Sequence, residues 1–171
     1  QLGLAESALA LGDGERAYHL FRRIEPSSPV AAAVWQGQGI ALMRLGRAAE
    51  ASAPLQRAVD ADPSLWRAWN ALGQLHDARR QWEAARECYQ RALTAHPSAA
   101  TVHNNLGVSL LLQGRSVEAA RAFAAALHFD RHLKPAQGNL RLALAAQGRY
   151  DDALAGADPA SRAVALNGCG R

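Results

Sequence analysis

The segment from Trp66 to Pro97 reads WRAWNALGQLHDARRQWEAARECYQRALTAHP, and it decides the fold. Within each half, apolar residues recur three or four positions apart, which is the period of an amphipathic helix. The positions that carry the pattern are Trp69, Leu72, Gly73, His76, Ala85, Tyr89, Ala92 and Pro97. The segment therefore predicts two helices joined by a short turn.

The same pattern recurs along the chain with a spacing of 34 residues. Shifted forward, Gly73 and Tyr89 become Gly107 and Phe123, and shifted backward they become Gly39 and Leu55. The spacing, or a multiple of it, also separates turn glycines and prolines, namely Gly12, Gly46, Gly114 and Gly148, and Pro29, Pro63 and Pro97. A period of this length held over five units predicts a repeat array.

The segment resembles the tetratricopeptide repeat, whose signature is W-x2-L-G-x2-Y, then A-x3-F, then P. Every position matches except His76, which stands where tyrosine is usual, and Tyr89 replaces phenylalanine conservatively. The resemblance implies an all-α, right-handed solenoid of about five antiparallel helix pairs, with a partial C-terminal cap. It also implies a scaffold that binds another protein and is not an enzyme.

The pattern places the whole chain, 1–171, in one domain. The predicted units are 1–31, 32–65, 66–99, 100–133 and 134–157, followed by a tail at 158–171. The predicted helices are 1–11, 14–25, 30–45, 48–61, 65–79, 82–95, 99–113, 116–129, 134–147 and 150–156, with a short one at 159–167. Small residues are expected where the two helices of a unit touch, turn glycines take a left-handed conformation, and prolines separate the units.

Composition gives few signs of chemistry. The formal net charge is +4, but acidic and basic residues are interspersed, so no basic stripe predicts a nucleic-acid partner. Lys134 is the only lysine among 19 basic residues, a bias that the base composition of a genome explains without a function. No apolar run approaches the roughly 18 residues of a membrane helix.

No catalytic, cofactor or metal site emerges from the motifs. Phosphate loops and nucleophile elbows are absent from the sequence. His128 and His132 are four apart, but they flank the predicted end of a helix and have no third ligand nearby, so a solvated turn is favoured over zinc. Cys88 and Cys169 form no paired motif, and Cys88 has no base beside it. The sequence predicts neither a cofactor nor an enzyme.

The resemblance implies that the first helix of each unit lines a concave groove, at repeat positions 2, 5, 9 and 12. The predicted partner-binding residues are Gln36, Ile40, Arg67, Asn70, Gln74, Asp77, Thr101, Asn104 and Val108. The centre of this set is polar and its flanks are more apolar. Asn70 and Asn104 are equivalent, and asparagine both donates to and accepts from an extended peptide backbone. The alternative is that these residues are simply solvated.

A closer resemblance covers about residues 66–170. The motifs WNALG at 69–73, NNLG at 104–107, NLRLALA at 139–145 and LNG at 166–168 are similar to those of the repeat lipoprotein of the tight-adherence (Tad/Flp) pilus system. This implies a lipidated cysteine upstream of Gln1, a place on the periplasmic face of the outer membrane, and help in assembling the pilus secretin, hence adhesion and biofilm formation. The membrane contact would then be only through the lipid.

Three other interpretations stay open. In the first, the chain is a cytosolic scaffold or co-chaperone module, although the lysines of a carboxylate clamp are missing. In the second, it is the repeat region of a larger enzyme. In the third, it associates with itself, because an incomplete fifth unit exposes apolar surface.

Overall fold

The computed structural model describes residues 1–25 and 30–154, and this part of the chain folds into ten α-helices. The helices are α1 (Leu2–Ala10), α2 (Gly14–Arg22), α3 (Ala31–Arg44), α4 (Ala48–Ala61), α5 (Trp66–Ala78), α6 (Trp82–Ala95), α7 (Ala100–Leu112), α8 (Ser116–Phe129), α9 (Lys134–Ala145) and α10 (Tyr150–Leu154). The predicted helix ends that fall within the described residues are confirmed to within three residues, whereas the predicted end of the tenth helix at residue 156 lies outside them. The predicted helix at 159–167 and the proline Pro29 lie outside the described residues.

Consecutive helices pair, so that α1 packs on α2, α3 on α4, α5 on α6, α7 on α8 and α9 on α10. Each odd-numbered helix also contacts the next odd-numbered helix, whereas the even-numbered helices do not pack on one another to a comparable extent. The odd-numbered helices therefore form a continuous inner layer, and the even-numbered helices form an outer layer.

Glycines allow the two helices of a unit to approach closely. A Cβ added to Gly73 would lie 2.6 Å from the ring of Tyr89, and one added to Gly107 would lie 2.6 Å from the ring of Phe123. In the second unit, Gly39 accommodates Leu55 in the same way. These are the contacts that the period of 34 predicts, and they are confirmed.

The turns inside the units are also as expected, with one exception. Gly12, Gly46, Gly114 and Gly148 all have positive φ, between 72° and 85°. The third unit has Arg80 at the equivalent position, with φ of 56°. A side chain with a Cβ is strained in this left-handed region, which glycine enters freely.

The junctions between units are fixed by a recurring hydrogen bond. At repeat position 4, a side chain reaches back six residues to a backbone carbonyl. Trp69 Nε1 donates to the Pro63 carbonyl at 3.0 Å, and Gln137 Nε2 donates to the Arg131 carbonyl at 2.8 Å. His103 Nε2 lies 2.9 Å from the Pro97 carbonyl, which requires the proton on Nε2. The start of each of these inner helices is thus tied to the preceding turn by side chains as different as Trp, His and Gln.

Candidate protein-binding groove

The inner layer carries a groove of about 740 Å³ that extends over four units, from the second to the fifth. Its floor comes from α5 and α7, and its ends come from α3 and from the start of α9. The lining residues are Ile40, Met43, Arg44, Trp66, Arg67, Asn70, Ala71, Gln74, Thr101, Asn104, Asn105, Leu133 and Pro135. The middle is mostly polar, and the ends are mostly apolar apart from Arg44, a mixed lining that suits a strand of polypeptide.

The structure brings six of the nine predicted groove residues together in this lining. They are Ile40, Arg67, Asn70, Gln74, Thr101 and Asn104. Arg67, Gln74 and Thr101 are exposed, whereas Asn104 is only 8% exposed. Whether any of them binds a partner stays a prediction.

Asp77 does not line the groove, because its carboxylate is held between two units. Tyr89 Oη donates to Asp77 Oδ2 at 2.7 Å, and Ser109 Oγ donates to Asp77 Oδ1 at 2.7 Å. Tyr89 and Ser109 are each 1% exposed. Burial, and then the hydrogen bond to Asp77, raise the pKa of Tyr89 far above its usual range. Asp77 is thus a structural acceptor for two buried hydroxyl groups, and its placement in the groove is corrected.

Gln36 and Val108 also lie outside the lining. Val108 is half-buried and packs on the apolar cluster around Leu110 and Phe123, so its side chain contributes to the core. Gln36 is half-buried on α3, one unit before the polar floor. The repeat positions locate the inner helices correctly, but they do not distinguish a side chain that faces the groove from one that faces a neighbouring helix.

Four asparagines of the inner helices form a chain of side-chain hydrogen bonds, and three of them, Asn70, Asn104 and Asn105, line the groove. Asn105 Nδ2 donates to Asn70 Oδ1 at 2.9 Å, and Asn139 Nδ2 donates to Asn104 Oδ1 at 3.0 Å. Both bonds join repeat position 5 of one unit to position 6 of the next. A third bond, from Asn104 Nδ2 to Asn105 Oδ1 at 3.3 Å, links them. The asparagines therefore support one another, so the floor is ordered before any partner arrives.

The charged residues of the lining are both arginines. Arg67 is exposed, and its Cζ lies 4.5 Å from the centre of the Trp66 ring. Arg44 Nη1 donates to the Leu9 carbonyl, which anchors its side chain across the first and second units. Neither arginine has a carboxylate partner among the described residues. The groove is thus positively charged.

Several lining residues were not among those predicted, notably Arg44, Trp66, Asn105 and Leu133. Asn105 could have been found, since it directly follows Asn104 and the pair NN stands on the predicted inner helix. Trp66 is the first residue of α5, and Leu133 is the residue directly before α9. Neither stands at repeat position 2, 5, 9 or 12, so the repeat pattern does not assign them to the groove.

Other chemistry is poorly supported by the described part of the chain. Burial raises the pKa of the Cys88 thiol to about 11, so little of the reactive thiolate exists at neutral pH. Residues 1–25 and 30–154 contain no group of three or more His, Cys, Asp or Glu side chains placed to hold a metal ion. None of the helices described is both long and apolar enough to cross a membrane. Cys169 lies outside the described residues.

The model of a known family matches residues 2–65 and 70–135, and its description is "Tetratricopeptide repeat". The chain belongs to the tetratricopeptide-repeat (TPR) family. The expectation of an all-α TPR solenoid is confirmed, and with it the broader expectation that the chain is an interaction module. TPR modules generally hold other proteins and do not catalyse reactions.

Two curated TPR relatives have a similar sequence over part of their length. The probable UDP-N-acetylglucosamine–peptide N-acetylglucosaminyltransferase SPINDLY of Hordeum vulgare is 30% identical over 125 residues, which are 69% of this chain and 13% of that protein. The peroxisomal targeting signal receptor of Candida albicans (strain SC5314) is 33% identical over 100 residues, which are 58% of this chain and 16% of that protein. The chain thus spans less than a fifth of the length of either relative.

Solved structures of MamA share the fold. One superimposes with a TM-score of 0.72 and 21% identity, covering 88% of each chain. Another, MamA from Desulfovibrio magneticus RS-1 beginning at its residue 41, gives a TM-score of 0.71 and 17% identity, covering 88% of this chain and 85% of that one. At such identities the likeness shows the TPR fold alone.

Proposed function

We propose that this chain is a protein-binding scaffold that holds an extended segment of a partner in its concave groove. The observation that carries the proposal is the preorganised amide floor formed by Asn70, Asn104 and Asn105, with Asn139 on α9 hydrogen-bonded to Asn104. Membership of the TPR family supports the general role.

A groove of this kind suits an extended backbone for two physical reasons. Primary amides donate to peptide carbonyls and accept from peptide N–H groups, so they pair with a strand whatever its side chains are. The floor is already ordered by its own hydrogen bonds, so binding requires little further loss of side-chain entropy in the protein. The partner's own ordering is then the main entropic cost of binding.

The role of the groove in binding is tested by filling it with a bulky side chain. Gln74 is exposed in the groove on α5, and Gln90 is exposed on α6 in the outer layer of the same unit. We expect proteins that co-purify with the wild type to be retained by Gln90→Trp and lost with Gln74→Trp, because only the second indole occupies the groove. Circular dichroism checks that both variants fold. Equal retention by the two variants would exclude the groove as the binding surface.

More specifically, we propose that the chain assists assembly of the Tad/Flp pilus secretin on the periplasmic face of the outer membrane. Support comes from the sequence motifs at 69–73, 104–107 and 139–145, which are similar to those of the repeat lipoprotein of that system. The experiment is purification of the full-length protein from envelope and cytosolic fractions of its own bacterium. Enrichment of a secretin with the wild type supports the pilus role, and recovery of cytosolic proteins alone rejects it.

Two other functions have some support from the relatives. The peroxisomal targeting signal receptor, by its name, recognises a signal on other proteins, which favours a soluble scaffold with a peptide-binding groove. The relative named as a glycosyltransferase favours a TPR region that presents substrates to an enzyme. The sequence of the intact gene separates the two, because the second requires a catalytic domain on the same chain.

A further inference from the structure

We infer that the groove selects an extended segment in which an acidic side chain stands next to an apolar one. The inference rests on the proposed function, since it names the chemistry of the segment that the groove would hold. It follows from three features of the lining, namely its charge, the direction of its amide chain and the apolar residues beside its arginines.

The charge of the lining favours an anionic partner. Arg44 and Arg67 are its charged residues, and no carboxylate lines the groove within the part of the chain that the structure describes. Asp77 lies on the same helix as Arg67, but its two oxygens accept from Tyr89 and Ser109 in the junction between units. A carboxylate in the groove would therefore meet guanidinium groups without a competing acid, and guanidinium matches carboxylate geometry well.

The amide chain gives the groove an excess of hydrogen-bond donors. Its three bonds point in one direction, from Asn139 to Asn104, then to Asn105 and finally to Asn70. The carbonyl oxygen of Asn70 therefore already accepts one hydrogen bond, and its Nδ2 has no acceptor among the described residues. Asn70 thus has a free NH₂ group in a lining that also contains the donors of Arg67 and Thr101. A partner rich in acceptors satisfies this arrangement, and a carboxylate is an acceptor only.

Apolar residues lie at the same end of the groove as Arg44. Ile40 and Met43 precede it on α3, and both are half-buried and line the groove. The flat face of Trp66 is half-buried beneath Arg67. An apolar side chain of the partner placed here would bury apolar surface that is partly exposed to solvent, while the acidic residue next to it in the partner reaches the arginines.

The acidic group need not be a chain terminus, because the lining continues on both sides of Asn70. On one side it extends to Ile40 on α3, and on the other it extends to Leu133 and Pro135 at the start of α9. A polypeptide can therefore enter and leave the groove, and its carboxylate need not be the last group of the chain.

The test is a selection with random 12-residue peptides fused through their C-termini to a phage coat protein, so that no peptide has a free terminal carboxylate. The wild type, Arg67→Glu and Arg121→Glu serve as targets, where Arg121 is an exposed arginine on α8 outside the groove. We expect the wild type and Arg121→Glu to enrich Asp or Glu next to Leu, Ile, Met or Phe, and Arg67→Glu to lose this preference.

A synthetic copy of one enriched peptide then gives the magnitude. We expect its affinity to fall about tenfold for Arg67→Glu, and about tenfold when the peptide's acidic residue is replaced by the corresponding amide. When both changes are combined, the affinity should fall by less than the product of the two single effects. Enrichment of peptides without an acidic preference would overturn this inference and leave the proposed function standing. Failure to enrich any peptide, or equal enrichment on Gln74→Trp, would overturn both.

Discussion

Two neighbouring junctions fill equivalent positions with different chemistry. One lies between the third and fourth units, and the other lies between the fourth and fifth units. In the first, Asp77 accepts hydrogen bonds from the buried hydroxyl groups of Tyr89 and Ser109. The equivalent residues of the second junction belong to one apolar cluster, and they are Leu111, Phe123 and Ala143. All three positions differ together, so one junction carries a polar set (Asp77, Tyr89 and Ser109) and the other an apolar set.

Removing Asp77, the acceptor of the polar set, should have the largest effect on the stability of the fold. Asp77→Ala leaves two buried hydroxyl groups without their partner, and each such loss costs about 1–3 kcal/mol. We expect the free energy of unfolding to fall by about 3 kcal/mol in urea denaturation.

The matched control converts the whole set into that of the next junction. The triple variant Asp77→Leu, Tyr89→Phe, Ser109→Ala removes donors and acceptor together, so we expect a stability within about 1 kcal/mol of the wild type. If the triple variant is as unstable as Asp77→Ala, the two junctions are not interchangeable and the comparison fails.

The glycine contact between the two helices of a unit is common to the third and fourth units, so its removal should cost the same in each. Gly73→Ala and Gly107→Ala place a Cβ 2.6 Å from the rings of Tyr89 and Phe123. Overpacking of this kind costs about 2 kcal/mol, and we expect equal shifts of the unfolding midpoint in guanidinium chloride. Gly138→Ala is the control, because no atom lies within 4 Å of its added Cβ. A loss of stability in that control would show that the helical glycines matter for another reason.

The fold could be predicted from sequence because it depends on small residues at fixed spacing. Gly73, Gly107 and the turn glycines follow from sterics that any chain must obey, and those sterics are local to one unit. The groove was harder, because its lining depends on which way a side chain on an inner helix turns. Asp77 was assigned to the groove because its repeat position faces inward, but its hydrogen bonds come from Tyr89, twelve residues away, and Ser109, thirty-two residues away.

The amide chain distinguishes the later units from the earlier ones in a similar way. Asn105 bonds to Asn70 in the preceding unit, whereas the residue equivalent to Asn105 in the third unit is Ala71, opposite Gln36. Asn105→Ala should therefore make the junction between the third and fourth units resemble the junction between the second and third units. It leaves an acceptor on Asn70 and a donor on Asn104 without a partner, and we expect a loss of about 1 kcal/mol in thermal unfolding followed by circular dichroism.

Asn105→Ala should also weaken binding of the selected peptide, because the floor is no longer held in place. The control is Gln90→Ala, which removes an exposed amide from the outer layer and should change neither stability nor binding. Unchanged binding by Asn105→Ala would mean that the amide chain orders the fold without contributing to the groove.

The smallest effect is expected at the turn of the third unit, where Arg80 has the left-handed conformation that glycine has in the other four described turns. Arg80→Gly relieves the strain of a Cβ at positive φ but gives the unfolded chain more freedom, so the net gain should be about 0.5 kcal/mol. The reverse change at an equivalent turn, Gly114→Arg, should lose a similar amount. Calorimetry of the two single variants and of the double variant measures this, and because the turns are far apart the double variant should return to the stability of the wild type. A loss of stability in Arg80→Gly would mean that the arginine side chain makes a compensating contact, and the third unit would then differ from its neighbours in its turn as well as in its junction.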